Sequence, residues 1–477
     1  MLDILFVQNY YEQMLGIMHI SSILKKNGYK TDVVMGSGSD ILRKVVKTRP
    51  RVAGFYCTTG FHHKNLLVAS RLKRILKDDT LTLFGGPHPT FVPGMIGSDG
   101  VDMLCQGEGE YAVLDLLKAL DEKRDYTKIK NLIVKKDGEL YRNEIRPLCN
   151  LEEIPFPDRE IYAKISFIYK NKKQEVMISR GCVFNCAYCS SQAYKELYSG
   201  KGNYVRLRPI PNVIEELEII KTQYKPTSIF FHDDVFIFKK DYCLNLLEVY
   251  KKKIGIPFAC LIRADLMTED LAMALKDSGC YFVYFGIESG NEGLRSRVLQ
   301  RNIRDSQILD CARILHKHRL IFSTFNMVGL PEESLADTWS TVDLNIKIKP
   351  GYAWFSVYQP LPKTRLSQYA LDEGILEKID VGISDATFHE RSALINKNPE
   401  GRKMLRLKNT ANLMLRLPFA RPVIKNIALK VPIDPVYNLL DKFLYLIFYY
   451  FRLTYKLNFL GQAKSALFLL VHLRKLK

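Results

Sequence analysis

Twice along this chain, short apolar runs alternate with stretches whose apolar residues recur at helical spacing. In the first block ILFV (4–7) leads to Leu15–Lys26, TDVVM (31–35) to Ile41–Lys47, VAGFY (52–56) to Leu66–Leu76, LTLF (81–84) to a loop, and VDMLC (101–105) to Tyr111–Leu120. Strand, helix, strand in this rhythm predicts a parallel, doubly wound α/β sheet. Asn131–Asn143 reads as a β-hairpin turning at Asp137-Gly138. IPFPDRE (154–160), with two prolines and no period, reads as a linker. In the second block EVMIS (175–179), SIFFHDD (228–234), FACLI, YFVYFGIES (281–289), IFSTFNMVG (321–329) and AWFSVYQ (353–359) alternate with helix-like stretches such as Val213–Lys221 and Leu271–Lys276. Six strands with intervening helices predict a partial (β/α)6 barrel, with its chemistry at the carboxyl ends of the strands.

After residue 400 the pattern changes: Leu, Phe and Tyr interleave with Lys and Arg, and Pro418, Pro422, Pro432 and Pro435 divide the segment into short helices. The longest unbroken apolar run, Phe443–Phe451, falls far short of the ~20 residues of a spanning helix. Residues 401–477 hold 15 Lys or Arg against two acids, Asp434 and Asp441, a surplus of 13 out of the whole chain's +19. Two readings of this tail stay open. Its helices cap the barrel through an apolar face, or they form an interfacial module whose basic flanks attract anionic headgroups while Leu and aromatic faces enter the acyl boundary. A nucleic-acid partner is not expected, because these aromatics stand among Leu and Ile and not among polar residues as on a stacking platform.

At 477 residues, 47% hydrophobic and 25% charged, the chain is expected to fold as two or three globular domains. MLDILFVQN has neither the basic leader nor the cleavage site of a secretory signal. The ten Cys form no dense disulfide pattern, so a reducing, oxygen-poor cytoplasm is the expected setting, with a peripheral place at the inner membrane face if the tail is interfacial.

Ligands of a doubly wound sheet bind in the crevice at the carboxyl ends of its strands. Here those loops are Cys57-Thr58-Thr59-Gly60, then Gly85-Gly86-Pro87-His88-Pro89-Thr90, then Gly107-Glu108-Gly109-Glu110. Glycine lets a backbone approach a flat or phosphate-bearing ligand, and hydroxyls supply short hydrogen bonds. Each loop alone also reads as a tight turn. No GxGxxG opens the first helix, which argues against a nicotinamide or flavin.

The densest chemistry lies in RGCVFNCAYCSS (180–191), where Cys182, Cys186 and Cys189 stand three and then two residues apart. Three thiolates suit a 4Fe-4S cluster, leaving one iron open. A structural zinc site wants a fourth protein ligand, and no Cys or His pair follows at a suitable distance; His232 stands alone.

This spacing, with Tyr188 just before the third Cys, resembles the signature of the radical S-adenosylmethionine (SAM) superfamily. The resemblance implies that the open iron chelates the amino and carboxylate groups of SAM, and that an electron splits SAM into methionine and a 5′-deoxyadenosyl radical. The electron would come from a donor such as flavodoxin or ferredoxin. Residues 1–121, through GGPHPT and QGEGE, resemble the cobalamin-binding domain ahead of the radical SAM domain in one large subgroup. The resemblance implies cobalamin contacts at Thr58, Thr59, Gly85, Gly86, His88, Gly107, Glu108, Gly109 and Glu110. There is no Asp-x-His-x-x-Gly, so no axial imidazole from that motif is expected, and His88 is either a ligand or a turn stabiliser.

In the barrel, the resemblance places Glu288 and Ser289 at the SAM ribose, Met327, Val328, Gly329 and Leu330 on the adenine-facing strand, and Asp233 and Asp234 as an acidic pair near SAM. The carboxylates read equally as helix caps. Arg263 would pair with the methionine carboxylate or form a structural salt bridge. Where the subgroup reads Pro-Gly-Thr, this chain has Pro362-Lys363-Thr364. The expected organisation is a cobalamin-binding-like domain (1–125), hairpin and linker (126–170), radical SAM barrel (171–370) and a basic, apolar, helical C-terminal domain (371–477). The implied activity is methylation of an unactivated carbon of a hydrophobic substrate, lipid-like or a natural product. A radical cyclase or rearrangement enzyme using the same cofactors, and an iron–sulfur regulatory module without turnover, remain as alternatives.

Overall fold

The computed structural model describes residues 2–9, 12–165, 172–379 and 392–448. The first unit is a seven-stranded sheet of β1 (Ile4–Gln8), β2 (Thr31–Met35), β3 (Val52–Tyr56), β4 (Leu81–Gly85), β5 (Met103–Cys105), β6 (Leu132–Lys136) and β7 (Glu139–Arg142), in the order β2-β1-β3-β4-β5-β6-β7. β1 through β5 run parallel, while β6 and β7 are antiparallel. All five residues of β1 are buried, as a parallel sheet covered on both faces requires. The helices Leu15–Lys26 and Glu110–Asp121 cover one face, and Gly38–Thr48 and His62–Leu76 the other. In the hairpin, Asp137 (φ 53°) and Gly138 (φ 83°) are both left-handed, the turn whose twist matches paired strands.

Two segments differ from the reading of the sequence. The loop expected after β4 contains a short helix, Pro87–Phe91, with proline at its first turn, and a 3-10 turn, Pro93–Gly97. The expected linker ends in a turn, Arg159–Tyr162, that is a plug: Tyr162 is buried in the first core, donates to Gln8 Oε1 at 2.8 Å and accepts from Met14 N at 3.2 Å. Prolines hid the period there, not the burial.

The second unit is a six-stranded parallel sheet, β15-β14-β13-β12-β11-β8, the partial barrel. Its strands are β8 (Lys173–Val176), β11 (Ser228–Phe231), β12 (Phe258–Ile262), β13 (Cys280–Glu288), β14 (Ile321–Val328) and β15 (Tyr352–Val357), while β9 (Ser179–Arg180) and β10 (Arg206–Leu207) pair separately. EVMIS therefore breaks after Val176. Asp233 causes the break by accepting from the amides of Ile178 (3.1 Å) and Ser179 (2.6 Å) and from the Ser179 hydroxyl, which takes those amides out of the ladder.

The Gly401–Arg416 helix lays Met404, Ala411 and Met414 against Val328, Val342 and Ala353, as the capping reading expects. It also closes the exposed edge of β15, where Asn412 accepts from Ala353 N at 3.0 Å and donates to Ala353 O at 2.9 Å. The rest of the tail from 449 lies outside the described residues. Among those described, no helix is long and apolar enough to cross a membrane.

Candidate active site at the carboxyl ends of the two sheets

The cluster loop leaves β9 through Gly181, whose φ of 87° and contact with the Tyr204 carbonyl admit no side chain. It is pinned at both sides. Ala187 N donates to Leu299 O (2.9 Å) and Leu366 N to Ala187 O (2.8 Å), and Lys195 Nζ holds Phe184 O (2.9 Å) and Asn185 Oδ1 (2.6 Å). Cys182, Cys186 and Cys189 are free thiols. Burial pushes Cys182 up and Cys189 up to about 12; the Asp234 charge raises both further, as does Cys186, and Cys182 adds to the rise at Cys189. Three thiols on one loop, without a fourth Cys or His at a suitable spacing, suit a 4Fe-4S cluster in which each thiolate takes a different iron.

Two guanidiniums face the middle thiol. Arg263 Nη1 and Arg301 Nη1 each donate to Cys186 Sγ at 3.7 Å. Arg263 is otherwise held by Asp265 (2.9 Å) and stacked 3.6 Å over Phe184, so it takes the structural salt bridge of the two roles expected for it. Nothing in the sequence singled out Arg301; it reaches the loop only through the fold, donating also to Gly286 O at 2.7 Å and to the Tyr188 hydroxyl at 3.3 Å. Charge-assisted donors to a sulfur ligand orient and tune it.

The expected SAM contacts divide. Asp233 spends its oxygens on the β8–β9 junction, and burial pushes it up to about 6. Asp234 beside it has no partner among the described residues, faces open space near Cys182 and Cys189, and is raised by burial. Of the acidic pair, Asp234 is the one able to receive an ammonium. Glu288 is left-handed (φ 70°) and accepts from Tyr188 Oη at 3.0 Å; such conformations persist where the surroundings fix them. Ser289 is fully buried, its hydroxyl accepting from Asn291 N at 3.2 Å. Met327, Val328 and Leu330 are buried, and the space beside Gly329 is filled by Ile395. The loop beyond is held by Glu333, which accepts from Leu330 N (2.9 Å) and the Thr338 hydroxyl (2.8 Å) and is pushed up to about 7 by burial. Lys363, standing where the subgroup has glycine, takes a left-handed φ of 62°, so the turn is kept at some strain.

Across from this end, the first sheet opens a cavity of about 290 Å³ that runs from the carboxyl ends of β3, β4 and β5 down past Ile4 and Phe6 of β1, between the sheet and the helices Leu15–Lys26 and Glu110–Asp121. Its wall includes Gly54, Gly85, Gly86, Gly107 and Gly109, which leave room for a flat ligand. Thr59 and His88 satisfy each other at 3.0 Å, and His88 stacks on His62 at 3.8 Å. His88 is buried, and burial with the nearby His63 charge holds it at about 4, neutral; the turn-stabilising role is the one the packing gives it. Thr58 is half-buried on the same loop.

Glu108 and Glu110 join the two units. Arg206 and Arg180 donate to Glu108 at 2.6 and 2.9 Å, and Arg180 to Glu110 at 2.6 Å. Burial alone would raise Glu108; the Arg206 hydrogen bond and the charges of Arg180 and Arg206 outweigh it and hold the carboxyl at about 2. These carboxylates are spent on a clamp whose Arg180 precedes the cluster loop by two residues. Tyr198, just past the helix that follows the cluster loop, accepts from Glu108 N at 2.7 Å and crowds Gly107 (φ 71°) so closely that a side chain there would clash.

The barrel's inner face carries Phe230, Tyr284, Phe325 and Trp354, all half-buried, with Trp354 packed edge-on against Tyr445 of the Asp434–Phe448 helix at 5.0 Å. Tyr284 and Phe325 stack with centroids 5.7 Å apart. His232 does not stand alone: it pairs closely with Glu175. That pairing joins β8 to the end of β11, a neighbour relation that local spacing does not carry.

A thiol trio suited to an iron–sulfur cluster, set on a partial barrel facing a glycine-lined crevice of a doubly wound sheet, defines a radical SAM enzyme with a cobalamin-binding domain. The comparisons agree. Residues 176–344 match the Radical SAM superfamily and residues 3–117 the B12 binding domain. An uncharacterized methyltransferase of Pyrococcus horikoshii is 30% identical over 377 residues, 76% of this chain and 79% of that one. The anaerobic magnesium-protoporphyrin IX monomethyl ester cyclase of Rubrivivax gelatinosus is 24% identical over 376 residues, 74% of this chain and 65% of that one. Among solved structures, the radical SAM methyltransferase TsrM of Kitasatospora setae superposes with a TM-score of 0.63 at 15% identity, covering 78% of this chain and 76% of that one. The chain belongs to the cobalamin-binding radical SAM family, whose cofactors are a 4Fe-4S cluster, SAM and cobalamin.

Proposed function

We propose that this enzyme C-methylates an unactivated carbon of a hydrophobic small molecule, with cluster ligation by Cys182, Cys186 and Cys189. When bound, the cluster and SAM supply a hydrogen-abstracting radical and cobalamin supplies the methyl group, a second SAM replacing that methyl. The chain's own part is placement. The Arg180–Glu108–Glu110 clamp fixes the cluster loop against the glycine-lined crevice, so both cofactor positions face one space. Fixing reactants in that way lowers the entropic share of a barrier. Asp234, exposed and without a hydrogen-bond partner among the described residues, would receive the ammonium of SAM, and Arg263 and Arg301 stabilise negative charge on the Cys186 sulfur. The observation that carries the substrate reading is the aromatic wall of Phe230, Tyr284, Phe325 and Trp354: half-buried side chains on the barrel's inner face supply apolar contact and exclude water.

A second reading, radical ring closure without methyl transfer, is favoured by the likeness to the cyclase. Anoxic turnover with a one-electron donor of the flavodoxin or ferredoxin type separates them. Methylation yields S-adenosylhomocysteine together with 5′-deoxyadenosine and a product heavier by one CH2; ring closure yields deoxyadenosine without S-adenosylhomocysteine. Reduced, reconstituted enzyme that cleaves no SAM would overturn both and leave a regulatory module.

A further inference from the structure

The last described helix packs inward through a mixed face and leaves an apolar stripe outside. In Asp434–Phe448, Asp434 accepts from Arg406 Nε at 2.5 Å, Asp441 from Lys408 Nζ at 3.3 Å, and Asn438 pairs with Asn409, while Tyr437 is buried and Tyr445 packs edge-on against Trp354 at 5.0 Å. The helix's apolar residues Val436, Leu439, Phe443 and Ile447 lie on the opposite side, Leu439 being 69% exposed. The Arg421–Lys430 helix also leaves apolar residues outside. Ala428 and Ile424 turn inward, while Val423 and Ile427 continue the line of Phe419, 83% exposed, and Val431. A helix facing water presents polar residues to it, and contiguous exposed apolar side chains mark a surface that meets something.

Charge says what it meets. Residues 401–448 carry nine Lys or Arg and only two acids, and both acids, Asp434 and Asp441, are engaged with the neighbouring helix. Beside Pro418 lies a cleft of about 430 Å³ at the amino ends of β14 and β15, lined by Arg319, Lys349 and Arg416. The Arg319 and Lys349 side chains have no partner among the described residues. A second copy would bring the same positive surplus face to face. Residues 449–477 add six more Lys or Arg and no acid, so they cannot neutralise it either.

We propose that the outer face of the Arg421–Lys430 and Asp434–Phe448 helices docks on an anionic lipid bilayer, its apolar stripes entering the acyl boundary while the adjoining cleft takes headgroup phosphates. The proposal stands apart from the methylation reading, because its readout is binding and not turnover. The full chain, loaded with its cofactors, is floated with vesicles of phosphatidylcholine alone or mixed with phosphatidylglycerol. The expected result is flotation with the mixed vesicles, weakened by salt, and at least tenfold less bound for the triple variant Phe419→Asn, Leu439→Asn, Phe443→Asn at unchanged circular dichroism. Arg319→Glu with Lys349→Glu removes the preference for phosphatidylglycerol. In a separate Phe443→Trp chain, with the parent's two tryptophans subtracted, the added fluorophore is quenched by acrylamide in buffer and becomes shielded and blue-shifted on the mixed vesicles. Protein that stays at the bottom at low salt overturns the proposal, as does a triple variant that floats like the parent. A fluorophore already shielded without lipid also overturns it, since the face is then covered by the chain itself or by a second copy.

Discussion

The two ends of the barrel spend charge in opposite ways. At the carboxyl end Arg180, Arg206, Arg263 and Arg301 are all committed to partners inside the chain, within reach of the cluster loop or its clamp. At the amino end Arg319 and Lys349 have no side-chain partner among the described residues, and apolar residues of the last two described helices face outward. A buried charge without a partner is costly and one with several is geometrically fixed. One end is therefore built to hold positions, and the other to meet a surface.

The comparison breaks most completely at the thiols: Cys186→Ala should abolish both the cluster's visible absorption and anaerobic release of 5′-deoxyadenosine, and survival of either would remove that residue from the ligand set. Next in size, Arg180→Met leaves Glu110 and half of the Glu108 clamp unpaired, costing about 3–5 kcal/mol in denaturant unfolding. Glu333 tests the same end through pH. Burial raises its carboxyl from 4.5 to about 7, so the fold holds a proton that the unfolded chain releases; the resulting stability is complete below pH 4.5 and lost as pH rises through about 7. Glu333→Gln should remove that loss, a difference of about 3 kcal/mol at most between melts at acid and alkaline pH. Arg301→Gln is expected to keep iron while lowering SAM cleavage about 10–100-fold; unchanged cleavage would make its contact with Cys186 incidental. Smallest, Arg319→Glu at the other end should leave stability within about 0.5 kcal/mol and SAM cleavage in solution unchanged, which sharpens the contrast.

Much of this was legible before the fold. Most strands of both sheets fall within a residue or two of their apolar runs, EVMIS and SIFFHDD running three past theirs, and the helix Leu15–Lys26 begins and ends where its pattern does, because burial on both faces of a parallel sheet writes itself into local composition. Asp137-Gly138 declared its turn through the only backbone it favours. Other readings needed partners from elsewhere. Asp233 and Asp234 are indistinguishable in sequence, yet one is consumed by Ile178 and Ser179 and the other is open. Glu108 and Glu110 sit in a loop of ligand-like composition, but Arg206 and Arg180 claim them. Ser289 follows Glu288 at once, yet its hydroxyl is taken by Asn291 N.

Sequence by itself determined the thiol trio, the two α/β rhythms and the basic, apolar tail, since each depends on residue type at short spacing. Only the tertiary structure decided which carboxylates remain open, which arginines reach Cys186, and that the last described helix leaves an apolar stripe outside. Those outcomes depend on groups tens of residues apart competing for the same donors and acceptors, and a hydrogen bond taken by a distant partner leaves no mark on the local pattern.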